Sequence, residues 1–428
     1  MNTRNHRSRT AFAIAFLAVF AVAVTSCIKG DEPYIVDPIG GELFDRYVSL
    51  GNSLTAGFQS GGINVNTQRE AYPVLLAEKA NAPFGVPALA LPGCPPLLVG
   101  PLTTTRTDTT ACGLRVFDAP SLVQNLAVPG ANTGHLSNPV GTGNTLNTLI
   151  LGGRTQIAAM KDAEPTLISV WVGNNDALGA ALAGDTAGLT PLTTFQTEYD
   201  EIVAAMLETD AQDAILMGVV NPMVAAPALQ PGAYFWALPD TMPLSATDTL
   251  FFDVSDNCAP SVFGGLGDDR LISFIGVGNA IAAGEDPLHI DCVDGVQIGG
   301  AYEPDYLIDE AEQIAIAARI TAFNSYIAQQ ADDNGWIYID PTTTMVMPAL
   351  ADPDKIRKCQ DLPTDAASFG AAVQSSCPVD LDPTTDATFF GSYISHDGIH
   401  PTGAFHAATA NVLADSLNAV HGLSLPIN

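Results

Sequence analysis

Two stretches, Thr166–Val172 and Ala214–Val220, are apolar at nearly every position, and each follows a segment with helical patterning. A strand that is apolar on both faces must be covered on both faces, which a parallel sheet flanked by helices does. The same alternation runs along much of the chain. Strands are predicted at Arg46–Gly51 and Trp336–Asp340, with helices over Gln68–Ala82, Gln156–Ala163, Thr193–Thr209, Ile308–Asp332 and Gly403–Val420. The class that follows is α/β. A hydrophobic share of 47% over 428 residues supports a large core and excludes wholesale disorder.

Three stretches fall outside the alternation, at about 83–118, 222–304 and 342–390, and read as insertions. The first is rich in Pro and the second in Gly and Pro, and long irregular segments of this kind commonly serve as lids or binding loops. Tyr234, Phe235 and Trp236 read as exposed aromatics within the second.

The first 26 residues read as an export signal. Arg4, Arg7 and Arg9 precede an uncharged run from Ala11 to Val24, too short for a bilayer that needs about 20 residues. Val24-Thr25-Ser26-Cys27 resembles a bacterial lipoprotein lipobox, which implies cleavage before Cys27 and its lipidation. Residues 27–42 then read as a tether, and 43–428 as the folded domain. The expected location is the bacterial cell envelope, lipid-anchored at the outer membrane, with the bilayer as a partner through Cys27.

Six further cysteines remain, an even number in an exported chain, and they suggest disulfides. Fifteen connectivities are open. Neighbour pairing, Cys94–Cys112, Cys258–Cys292 and Cys359–Cys377, closes the shortest loops and is the pairing expected.

Four short segments carry the candidate chemistry. Ser53 in Gly51-Asn52-Ser53-Leu54 lies where a strand meets a turn, at the sheet edge where open α/β folds place their sites. Alone it reads as a turn or helix-capping serine. Gly130, after Val128-Pro129, lets the backbone approach another group with its N–H free. Asn175 in Gly173-Asn174-Asn175-Asp176 ends the strand from Thr166 and can aim an amide at a developing oxyanion, or cap a helix. Asp397 and His400 in Asp397-Gly398-Ile399-His400 are spaced so that a carboxylate can orient an imidazole, although such a pair also serves as a metal half-site. His135, His289, His396 and His406 read as bystanders.

Taken together and in this order, the four segments resemble the SGNH (GDSL-type) hydrolase family over about residues 44–220 and 305–422. The resemblance implies a three-layer, flavodoxin-like α/β/α fold with a parallel sheet of about five strands and large loop insertions. It further implies hydrolysis of a small acyl or acetyl ester through an acyl-enzyme. Ser53 would be the nucleophile, His400 the base and Asp397 its orienting acid. The N–H groups of Ser53 and Gly130 and the Asn175 amide would form the oxyanion hole. The family usually has Asp where this chain has Asn52. A carbohydrate deacetylase of the same family and a non-catalytic surface binding lipoprotein are the alternatives. The Ala, Leu, Phe and Pro content of 222–304 leans towards an apolar acyl pocket.

Charge narrows the partners. The chain has 16 basic and 46 acidic residues, a net charge of −30, and loss of Met1–Ser26 takes it to −33. Nucleic acid, which requires a basic footprint, is excluded as a partner. Asp352/Asp354 and Asp380/Asp382/Asp386 match no calcium loop spacing, so no metal site and no cofactor is expected.

Overall fold

The computed structural model describes residues 38–101, 103–109, 112, 115–116, 122–138, 145–238, 240–243, 249–359, 373, 377 and 389–427. Cys27, the whole signal segment and Asp380/Asp382/Asp386 lie outside these residues. Among the described residues no helix is long and apolar enough to cross a membrane.

Strands β1 (Tyr47–Gly51), β2 (Leu167–Trp171), β3 (Asp213–Met217) and β4 (Ile337–Ile339) lie side by side in that order, each pair parallel. A fifth segment follows the outer edge of β1. The Ser49 N–H donates to the Gln124 carbonyl at 2.9 Å, and the Leu126 N–H donates to the Ser49 carbonyl at 2.9 Å. Only one residue pair, Ser49 with Asn125, closes into a bridge there. The sheet of about five strands is therefore four regular strands and one loosely paired edge.

Successive strand residues point to opposite faces, and both faces are filled. Val48, Leu50, Ile168, Val170 and Leu216 enter one core. Tyr47, Leu167, Trp171, Ile215 and Met217 enter the other. Helices α3 (Gln156–Asp162), α4 (Asn175–Ala183), α5 (Leu192–Leu207) and α6 (Glu310–Asn334) supply residues to the first layer. Helices α2 (Tyr72–Lys79) and α7 (Gly403–His421) supply Tyr72, Leu76, Phe405, Leu413 and Leu417 to the second. The three-layer α/β/α arrangement is thus present.

The helix expected over Gln68–Ala82 is two helices, Val65–Arg69 and α2, with Ala71 extended between them. Pro73 has no N–H to give and its ring would strike the carbonyl four residues back, so a continuous helix cannot pass through it. It fits in the first turn of a new one.

The 222–304 insertion is far more ordered than its composition suggests. It contributes a five-stranded sheet and, with Leu307–Ile308, a three-stranded one. The reading of Tyr234 and Phe235 as exposed is corrected: they are 0% and 1% exposed. Both sit on the short helix Gly232–Ala237 and pack with Phe274, Phe389 and Phe390 in a separate apolar core. The 222–304 and 342–390 stretches bury these aromatics between them. Trp236 is partly exposed, stacked 5.7 Å from Phe263.

The three disulfides are Cys94–Cys112, Cys258–Cys292 and Cys359–Cys377, as neighbour pairing predicts. The last two lie in the same apolar core, one from each of the two stretches that build it. The body also begins before residue 43. The Ile39 N–H donates to the Ala80 carbonyl at 2.7 Å.

Candidate active site

The end of β1 is held where the candidate nucleophile leaves it. The Gly51 N–H donates to Gln156 Oε1 at 2.9 Å, and Gln156 Nε2 donates back to the Gly51 carbonyl at 2.8 Å. A Cβ on Gly51 would lie 2.5 Å from the Trp171 carbonyl oxygen, so only glycine fits there. The chain then turns into the one-turn helix α1 (Ser53–Ala56), capped by Asn52 Oδ1 accepting from the Leu54 N–H at 3.0 Å. An aspartate would cap equally well, so Asn52 leaves the turn intact.

Ser53 and the DxxH segment, 347 positions apart, meet at this turn. His400 Nε2 lies 3.0 Å from Ser53 Oγ, and His400 Nδ1 lies 2.9 Å from Asp397 Oδ2. The three side chains form a hydroxyl–imidazole–carboxylate relay. Asp397 is tightly held. Its Oδ1 accepts from the N–H groups of Ile399 and His400 at 3.0 and 2.8 Å, and its Oδ2 accepts from the Gly61 N–H at 2.6 Å. Burial alone would raise its pKa. The facing His400 and the bonds donated by His400 and Ile399 outweigh burial and bring it down to about 2. A carboxylate held ionised in this way favours the Nδ1–H tautomer of His400 and leaves Nε2 free to accept.

Asn175, the first residue of α4, shares with Ser53 and His400 the wall of a cavity of about 70 Å³. Its Nδ2 donates to the Ala131 carbonyl at 2.8 Å. Gly130 is not part of that wall. It stands at φ +85° with open space where a Cβ would be. Among the described residues the N–H groups of Ser53 and Gly130 have no protein acceptor.

Several contributors carry no motif of their own: the Gln156 clamp, the Gly61 N–H, and the Phe58 ring 4.8 Å from the His400 ring. Gly57, Gly61 and Gly62 signal a turn but not its partner, which lies 336 positions away. Of the other histidines, His406 is fully buried near Tyr72, 6.3 Å ring to ring. Burial, and then the charge of His400, push it down to about 3, so it stays neutral. His289 pairs with Asp253 at 2.9 Å. Among the described residues no group of three or more His, Cys, Asp or Glu is arranged to hold a metal.

Apart from Asn174, the rest of the cavity wall is apolar, including Leu54, Trp171, Leu178, Val220, Ile356 and Phe405. Ala226, also in the wall, is fixed by the buried Lys358, whose Nζ donates to its carbonyl at 2.8 Å and again to the Leu229 carbonyl at 2.5 Å. Burial lowers the Lys358 ammonium to about 7.

No family model and no curated protein matches the chain. Solved structures resemble it distantly. An extracellular lipase from Streptomyces rimosus is 14% identical, with 87% of this chain and 99% of that one covered and a TM-score of 0.35. A psychrotrophic esterase from Pseudoalteromonas sp., inhibited by monoethylphosphonate, is 12% identical, covering 88% and 100% at 0.35. A catalytic mutant of an acetylxylan esterase from Geobacillus stearothermophilus is 10% identical, covering 89% and 95% at 0.32. Likeness this distant says nothing about which substrate this chain takes.

Proposed function

We propose that the protein is a serine carboxylic-ester hydrolase acting through an acyl-enzyme. The observation that carries this reading is the relay itself, His400 Nε2 at 3.0 Å from Ser53 Oγ and His400 Nδ1 at 2.9 Å from Asp397 Oδ2. Ser53 Oγ adds to the ester carbonyl as its proton passes to His400 Nε2, and the tetrahedral oxyanion takes bonds from the Ser53 and Gly130 N–H groups and the Asn175 amide. His400 then gives the proton to the departing alcohol. Water, activated by the same imidazole, releases the acid and restores the serine.

An apolar wall with few convergent polar groups suits an uncharged acyl chain. Beside Ser53 and His400 the wall carries the bulky side chains of Leu54, Trp171, Ile356 and Phe405, and the ester proposed is a short-chain one. In a series of chromogenic esters from acetate to palmitate, kcat/KM peaks at or below about six carbons and falls beyond. A maximum at palmitate would exclude this pocket as the acyl site. A fluorophosphonate labels Ser53 rapidly in a hydrolase and not in a binding protein, which separates this reading from the non-catalytic one.

The location proposed with this function is the cell envelope, lipid-anchored through Cys27. Replacing Cys27 by serine leaves no thiol to acylate, and the protein moves from the detergent phase to the aqueous phase on Triton X-114 partition. Retention of the variant in the detergent phase would rule the anchor out.

A further inference from the structure

We propose that Asp176 is a positioning residue for the oxyanion hole, sharing a proton with Glu198 across the Thr133 hydroxyl and so holding the loop that carries Gly130. The oxyanion part of this rests on the ester-hydrolase reading above.

Asp176 is 1% exposed. Its Oδ2 accepts from the Thr133 N–H at 3.0 Å and its Oδ1 from Thr133 Oγ1 at 2.9 Å. Glu198, on α5, reaches the same Thr133 Oγ1 with its Oε2 at 2.6 Å. A hydroxyl has one proton to donate. Two ionised carboxylates cannot both receive it, so the second contact closes only when one of the two carboxyls carries a proton and donates it to Oγ1. Burial favours the neutral form of Asp176 and, with the charge of Glu198 and against the bonds from Thr133 and the Thr190 side chain, raises it to about 6. The second carboxyl also lies close against the loop. A Cβ on Gly134 would stand 2.4 Å from Glu198 Oε1.

The charged groups around Asp176 come from three other elements. Glu198 faces it from α5. His135, on the turn Thr133–Leu136, is driven by burial towards its neutral form. Arg319 on α6 spends a donor on the Thr190 carbonyl at 2.5 Å, and the Thr190 N–H in turn donates to the Asp176 carbonyl at 3.0 Å. No cation is bonded to the Asp176 carboxyl among the described residues.

The consequence reaches the site through two adjacent side chains. Asn175 grips the Ala131 carbonyl and Asp176 grips Thr133, so the first turn of α4 fixes the backbone just after Gly130 at two points. With the shared proton gone, two carboxylates face each other beneath this loop and push it away.

The test compares wild type with Asp176→Asn and Thr133→Val in the full chain, reading thermal unfolding and ester turnover from pH 4.5 to 7.5. A native carboxyl that keeps its proton to about pH 6, against 3.8 when free, stabilises the fold at low pH. That contribution is lost as pH rises through about 6. Asp176→Asn keeps an acceptor for the Thr133 N–H and replaces the shared proton by a fixed N–H donor. Its melting temperature relative to wild type therefore rises across the range by about 2 °C or more, and its relative kcat rises about threefold. Thr133→Val loses about 10²-fold in kcat, the order of one oxyanion donor, with KM nearly unmoved. A melting difference that stays flat or falls with pH overturns the proposal whatever the activity. A wild type that hydrolyses no ester while the melting difference rises refutes the hydrolase reading and leaves the shared proton standing.

Discussion

Ser53→Ala reduces hydrolysis of a chromogenic short-chain ester by roughly 10⁶-fold in kcat, to the level set by the remaining oxyanion donors. The size follows from what the hydroxyl does. Without Oγ there is no acyl-enzyme, and His400 Nε2, now lacking its 3.0 Å partner, can at best activate water. The variant still folds, because among the described residues Ser53 Oγ bonds only His400, and the turn is secured by the Asn52 cap and the Gln156 clamp. Asn175→Ala, by contrast, leaves measurable activity, reduced by about 10²–10³-fold, since the two backbone donors remain. Burst kinetics of the released chromophore check both, as wild type accumulates acyl-enzyme and Ser53→Ala shows no burst. Turnover by Ser53→Ala near the wild-type rate would remove the nucleophile assignment.

The parts of this molecule that could be read from sequence are those whose physics is local. Ile168 and Leu216 lie in runs apolar on both faces, and only burial on both sides accounts for such runs. Asp397 and His400 are three residues apart in one turn, so their contact needs no knowledge of the rest of the fold. Ser53 and His400, 347 positions apart, could be joined only through the family resemblance, because nothing within either segment names the other. The insertion was opaque for a different reason. Its strands are three to six residues long, too short for alternation to register, and Thr249–Val254 pairs in parallel with Leu288–Asp291 across an intervening helix. Tyr234 and Phe235 looked exposed because the core that buries them is built from residues near 235, 274 and 390. The Gly61 N–H is invisible to any motif, since a backbone donor has no residue type.

The second large effect is expected at Asp397. Asp397→Asn lowers kcat by about 10⁴-fold, the order seen when a triad carboxylate becomes an amide. The cause is the crowd of donors around it. Oδ2 faces the Gly61 N–H and His400 Nδ1, while Oδ1 faces the Ile399 and His400 N–H groups. Whichever way the amide turns, its NH₂ meets donors. With NH₂ towards His400, the ring must present a bare Nδ1 and carry its proton on Nε2, where it can no longer take one from Ser53. With NH₂ the other way, two backbone N–H groups lose their acceptor and the turn opens. The pH behaviour distinguishes this residue from its neighbour. Because the Asp397 carboxyl is held at about 2, it stays ionised throughout the working range. Any acid-side loss of wild-type activity in that range therefore does not come from Asp397 losing its charge. The sign for stability is the reverse of that for Asp176. A depressed carboxyl contributes on the order of 2 kcal/mol above its free value of 3.8, and loses it as pH falls through about 2. Asp397→Asn should therefore unfold earlier than wild type at pH 7, and the gap should close towards pH 2. A variant as stable as wild type at pH 7, with kcat within tenfold, would mean that Asp397 neither orients His400 nor holds the turn.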